Sequence, residues 1–81
     1  AHLYQSLCAA RDSVLNGNDN YSDIEQKAKD YLNQAGLQPE YFSICRSSDL
    51  LKADVVDQDL VILTAAKMGR TRLIDNVYFS K

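Results

Sequence analysis

The sequence predicts an α+β fold, with two N-terminal helices packed on a small, mostly antiparallel three-stranded sheet. Three observations carry this. Apolar residues recur at three- and four-residue spacing through the first 35 positions, then give way after Glu40 to alternation and short apolar runs. Helical and strand patterns occupy separate halves of the chain. Gly17, Gly36, Pro39 and Gly69 fall between the patterned segments and not inside them. At 81 residues the chain is one domain at most.

Residues 1–15 form the first expected helix. Leu3, Leu7, Ala10 and Val14 make its apolar stripe, with Tyr4, Cys8 and Leu15 beside it. Asn16-Gly17 ends it, because both tolerate the left-handed backbone of a C-terminal cap. A polar loop over 16–22 follows. Ser22 is the expected N-cap of the second helix, with Glu25 reaching back to it as a capping box. Ile24, Ala28, Tyr31, Leu32 and Ala35 form its buried stripe. Gly36 closes the helix, Leu37 folds back on Leu32, and Pro39 forbids continuation.

Residues 41–46 alternate and are rich in strand formers. Residues 47–59 are a polar crossing with a single helical turn expected over Leu50 and Leu51. The continuous apolar run 60–66 is the expected central strand. Met68-Gly69-Arg70 supplies a turn, and residues 71–79 return as the third strand. The predicted core is Leu7, Ile24, Leu32, Phe42, Ile44, Val61 and Leu63.

Composition narrows the function. The chain is 46% hydrophobic and 25% charged, as in a globular domain. A net charge of −2 and a pI near 5.1 argue against a dedicated nucleic-acid binder. No apolar run reaches the roughly 18 residues of a membrane span. The start carries no signal-peptide pattern, and its lack of an initiator Met suggests a piece of something longer. Cys8 and Cys45 have no metal-ligand spacing around them and read as reduced thiols of a cytoplasmic protein.

Several clusters invite a chemical reading. His2, the only histidine, has no acid or nucleophile spaced to pair with it. Asp54, Asp57 and Asp59 lack the glycine turn and distal glutamate of a calcium loop. Ser47-Ser48-Asp49 has no activating base and reads as a turn cap. Lys67, Arg70 and Arg72 surround the Gly69 turn, where cations could meet phosphate, although the plain alternative is a soluble charged turn. Asp75 among apolar strand residues calls for hydrogen-bond partners, with Arg72 or a loop amide in reach. Asn76 is expected to satisfy backbone groups of the crossing loop. No glycine-rich phosphate loop is present. The residues by themselves describe a small domain without an active site of its own.

The stretch from Leu60 to Asn76, Leu-Val-Ile-Leu-Thr-Ala-Ala-Lys-Met-Gly-Arg-Thr-Arg-Leu-Ile-Asp-Asn, resembles the C-terminal end of the pantothenate synthetase (pantoate–beta-alanine ligase) family. That family closes with an apolar strand ending in Ala-Ala, a two-residue step, Gly, one variable residue, a small or polar residue, and then Arg-Leu-Ile-Asp-Asn, which Arg72-Leu73-Ile74-Asp75-Asn76 matches in full. Gly36-Leu37, Pro39, Tyr41-Phe42 and Ile44 followed by Arg46 resemble the family's preceding segment, so that residues 31–79 are covered. Ser47 stands where the family commonly has Asp, and Met68 where it often has an aromatic residue.

The resemblance implies a C-terminal lid domain over residues 1–81, joined to an N-terminal nucleotide-binding domain. The family's full-length enzyme, a homodimer, uses ATP and magnesium to adenylate pantoate, and beta-alanine then displaces AMP. Its catalytic motifs, a His-Ile-Gly-His-type segment and Ser-Ser-Arg-Asn, do not occur in these residues. No catalytic residue carries over, and the isolated domain is expected to be a monomer, inactive, with no ATP or metal bound alone. Lys67 and Arg70 are the candidates for facing ATP. Two other readings stay open. One is a stand-alone protein-interaction module with an exposed apolar patch. The other is a small RNA-binding α+β domain whose affinity would rest on Lys67, Arg70 and Arg72.

Overall fold

A computed structural model describes residues 2–81. Two helices, α1 (His2–Leu15) and α2 (Tyr21–Gln34), precede three strands, β1 (Gln38–Arg46), β2 (Asp59–Met68) and β3 (Thr71–Ser80). The strands form one sheet in the order β1-β2-β3, antiparallel throughout. The α+β arrangement expected from the sequence is therefore the observed one.

Both helices end as their glycines require. Gly36 adopts φ +91°, its N–H bonds to the Asn33 carbonyl, and the Leu37 N–H reaches back to Leu32. Gly17 does the same for α1, with φ +94° and bonds from Gly17 and Asn18 to Val14 and Ser13. This paired closure satisfies carbonyls that would otherwise be left without donors.

The start of α2 differs from the expected capping box. Asn20 is the N-cap, and its side chain accepts from the Asp23 N–H. Glu25 is thereby free for another task. Its Oε2 accepts from the Ile44 N–H at 2.8 Å, while the Ile44 carbonyl accepts from Ala53 N–H. Both bonds lie on the edge of β1 away from β2, so a helix carboxylate and the returning loop together cover an otherwise open strand edge.

The crossing between β1 and β2 makes one α-turn, from the Leu50 N–H to the Arg46 carbonyl, which precedes Leu50 and Leu51 and does not run over them. After Arg46 the chain turns tightly, with Leu50 at φ +63°, and Lys52 then bridges back to Cys45. Leu50 and Leu51 are exposed there.

The core lies between helices and sheet. Leu3, Leu7, Ala10 and Val14 of α1, and Ile24, Ala28 and Leu32 of α2, meet Phe42, Ile44, Leu60, Ile62 and Ala66. Helix α2 lies over β1, and α1 over β2 and β3. Of the predicted core, Leu7, Ile24, Leu32, Phe42, Ile44 and Val61 are buried. Leu63 is only half-buried: it faces the side of the sheet that carries no helix, and its cross-strand neighbours there, Ser43 and Asn76, are smaller than the Tyr41, Ile74 and Tyr78 that flank Val61 and Ala65. Tyr31 is also more exposed than expected. It sits at the rim of the helix pair, where its hydroxyl bonds Gln5.

Candidate functional site at the basic hairpin

The β2–β3 connection has two residues, since Met68 pairs with Thr71. Gly69 takes the first turn position at φ +62°, the backbone that a two-residue hairpin favours and that glycine adopts without strain. Arg70 occupies the second position and is exposed. Lys67 and Arg72 sit directly opposite each other across the hairpin stem.

These cations meet a carboxylate that sequence reasoning did not single out. The register of β1 on β2 shifts between Pro39 and Tyr41. Glu40, the residue at that irregularity, bonds Arg72 Nε at 2.5 Å and lies 3.9 Å from Lys67 Nζ. The hydrogen bond from Arg72 holds the Glu40 carboxyl below its ordinary range, with the charges of Arg72 and Lys67 acting in the same direction. Arg72 is correspondingly pushed up. Both partners are open to water, so this cluster is modest in energy but fixes where its charges stand.

The two candidate residues therefore separate. Lys67 is engaged by Glu40. Arg70 has no salt-bridge partner among the described residues, and at the tip it is the cation available to an external anion. No sequence signal pointed to Glu40. Its role depends on a strand irregularity and on contact with a residue 32 positions away.

The other clusters turn inward on their own loops. Asp57 accepts from the Asp54 N–H, Asp54 from Val55 N–H, and Asp59 from the Ser80 hydroxyl. Among the described residues no group of three His, Cys, Asp or Glu side chains is placed to hold a metal ion. Asp49 pairs with Arg46 and accepts from Leu51 N–H, and these contacts lower its carboxyl. Arg46 thus finds a carboxylate three residues on, although Ser47 replaces the acid expected next to it. His2 Nδ1 lies 2.9 Å from the Tyr31 hydroxyl. Cys8 and Cys45 are both free thiols, and burial pushes Cys45 up, away from the thiolate form.

Asp75 and Asn76 correct a further expectation. Arg72 bonds Glu40 and not Asp75, whose Oδ1 accepts from the N–H of Asn76. Asp75 is half-buried on the helix side of the edge strand, whereas Asn76 is exposed on the opposite face, away from the crossing loop it was expected to satisfy. A groove of about 410 Å³ between α1 and α2 is lined largely by small residues, among them Ser6, Ala9, Ala10 and Ala28. None of the described helices is long and apolar enough to cross a membrane.

Comparison with known proteins gives this frame a family. A sequence model of the Pantoate-beta-alanine ligase family matches residues 1–78. The pantothenate synthetase of Methylobacillus flagellatus is 46% identical over 78 residues, covering 96% of this chain and 28% of that protein. That of Marinobacter nauticus is 40% identical over 79 residues, covering 98% and 28%. That of Idiomarina loihiensis is 46% identical over 77 residues, covering 95% and 27%. The chain spans little more than a quarter of the length of these curated relatives. A match along nearly the whole chain, on a frame whose strands carry the Arg72–Asn76 segment, places the chain in the pantoate–beta-alanine ligase family.

Proposed function

We propose that this chain is the C-terminal lid domain of an ATP-dependent ligase that joins pantoate to beta-alanine. The match to the ligase family over residues 1–78 is the observation that carries this reading. The reaction proceeds by two displacements. The pantoate carboxylate attacks the α-phosphorus of ATP and pyrophosphate leaves, giving pantoyl adenylate. The amine of beta-alanine then attacks the acyl carbon, AMP leaves, and an amide remains. Magnesium bound with ATP offsets charge on the phosphates.

The acyl adenylate is open to hydrolysis, which gives a lid its purpose. A domain that closes over the nucleotide excludes water between the two steps and holds the amine against the acyl carbon. This chain does not offer a phosphate cradle of its own. The first turn of α2 is capped by Asn20, and two of the three hairpin cations are engaged by Glu40. Its contribution to the triphosphate is therefore a single reach, from Arg70 at the hairpin tip. The rival reading of an RNA-binding domain is weakened by the same pairing.

The test is an assay of the full-length enzyme and of the 81-residue chain alone, with ATP, magnesium, pantoate and beta-alanine. The full-length enzyme forms pantothenate and AMP in equal amounts, and the 81-residue chain forms neither. Pantothenate made by the short chain alone, or no ligation by the full-length enzyme, defeats the proposal. Replacing Arg70 with Ala lowers kcat/KM for ATP and leaves the melting temperature unchanged.

A further inference from the structure

The sheet has a second apolar face that no helix covers. An antiparallel sheet with one side in water ordinarily alternates apolar with polar residues, whereas a strand buried on both sides reads as a continuous apolar run. Strand β2 is of the second kind from Leu60 to Ala66, and its one polar residue there, Thr64, lies on the covered side and bonds the Tyr41 carbonyl. The helix-free face is built in three rows, Tyr41–Ala65–Ile74, Ser43–Leu63–Asn76 and Cys45–Val61–Tyr78. Val61 and Ala65 are fully buried with no layer above them, shielded by Tyr41, Ile74 and Tyr78, which are themselves 37%, 62% and 62% exposed. The Glu40–Lys67–Arg72 cluster closes one end of this face, and the Asp59–Ser80 pair closes the other. An apolar centre within a polar rim is the anatomy of a docking surface.

We infer that this helix-free face is the surface that closes onto the part of the full-length enzyme preceding Ala1. The inference rests on the reading of the chain as a lid. Two observations select this occupant. The family relatives carry almost three-quarters of their length outside the matched region. The start of α1 also lies at the hairpin end of the sheet. His2 touches Tyr31 near the close of α2, and α2 leads directly into Gln38, which pairs with Lys67. A body joined there stands at the end of the sheet that carries the Glu40–Lys67–Arg72 rim of this face. The inner faces of the helices are filled by the core, and their outward positions mix polar side chains, among them Gln5, Asp12, Lys27 and Asp30, with the separate apolar side chains of Tyr4 and Leu15.

Hydroxyl-radical footprinting of the full-length enzyme with ATP, magnesium and pantoate tests this, using Tyr4 on exposed α1 as the internal reference. Tyr78 and Tyr41 oxidise several-fold more slowly than Tyr4, after correction for the rates in denatured enzyme. Protection of Tyr4 with Tyr78 left reactive assigns docking to the helices and overturns the inference. Protection of Tyr78 that grows with protein concentration assigns the face to a second copy and overturns it too. The same preparation is assayed for pantothenate. An active enzyme with Tyr78 unprotected refutes the face and leaves the lid reading standing, whereas an inactive one defeats both. In a second arm, Ile74→Lys with Tyr78→Lys lowers kcat by about tenfold or more through misplaced closure, while Tyr4→Lys does not. The melting temperature confirms that the variants fold, and an unchanged kcat in the folded double variant overturns the inference.

Discussion

The two faces of the sheet are similarly apolar but are buried by different means. On the helix side, Phe42, Ile44, Leu60 and Ile62 are covered by side chains from α1 and α2 that come from distant parts of the sequence. On the other side, Val61 and Ala65 are covered only by neighbours within the sheet, and those neighbours remain in water. The difference separates stability from availability. The helix side holds the domain together, and the helix-free side keeps an apolar surface on offer without unfolding.

That comparison is sharpened most by Leu32→Ala. Leu32 is fully buried under the sheet, and the cavity left by truncation costs about 2–5 kcal/mol, a large share of a small domain's stability. The urea midpoint of the 81-residue chain falls accordingly, and an unchanged midpoint would show that the helices do not carry the fold. Glu25→Ala comes next. It leaves the Ile44 N–H at the strand edge without its carboxylate, at a cost of about 1–3 kcal/mol, read as a lower midpoint and faster amide exchange at Ile44. Exchange that stays slow at Ile44 would mean the loop alone protects that edge.

On the other face, Ile74→Ser truncates a side chain that is 62% exposed, and the isolated chain loses about 1 kcal/mol or less of stability. A loss comparable to that of Leu32→Ala would abolish the distinction between the faces. The smallest effect belongs to Glu40→Gln. The Glu40 pKa is depressed in the folded state, so its stabilisation is present above the ordinary carboxylate range and is lost as pH falls through the folded value. Wild type is slightly more stable than Glu40→Gln near neutral pH, and the two midpoints converge in acid. A gap that persists in acid, once the Glu40 carboxyl is protonated, would assign the difference to packing and not to charge.

The elements themselves were legible because their signals are local. The i, i+3, i+4 stripe of Leu3, Leu7, Ala10 and Val14 is buried as the pattern requires, and Gly17 and Gly36 terminate the helices where they stand. The start of α2 was misread because Asn20 and Ser22 both make acceptable caps. Ser22 with Glu25 fits the capping-box pattern, but β1 claims that carboxylate and Asn20 caps the helix. Leu63 reads as core because a continuous apolar run conceals which of its residues face the helices and which neighbours flank those that do not. At the candidate site, the positions of Lys67 and Arg70 on a hairpin could be read from Gly69, but their different situations could not. They depend on Glu40, brought in by an irregularity of β1 that leaves no mark in the sequence.

The sequence by itself determined which segments are helix and which are strand, where the helices stop, the turn at Gly69, and the family through Arg72-Leu73-Ile74-Asp75-Asn76. Each rests on residues within a few positions of one another, where backbone preference and side-chain period act directly. Tertiary structure alone decided which face of β2 receives the helices, that Glu25 covers a strand edge, and that Glu40 holds Lys67 and Arg72 while Arg70 has no salt bridge among the described residues. Those outcomes depend on register and on contacts between residues far apart in the chain. A shift of one residue along a strand exchanges its two faces without altering any local preference.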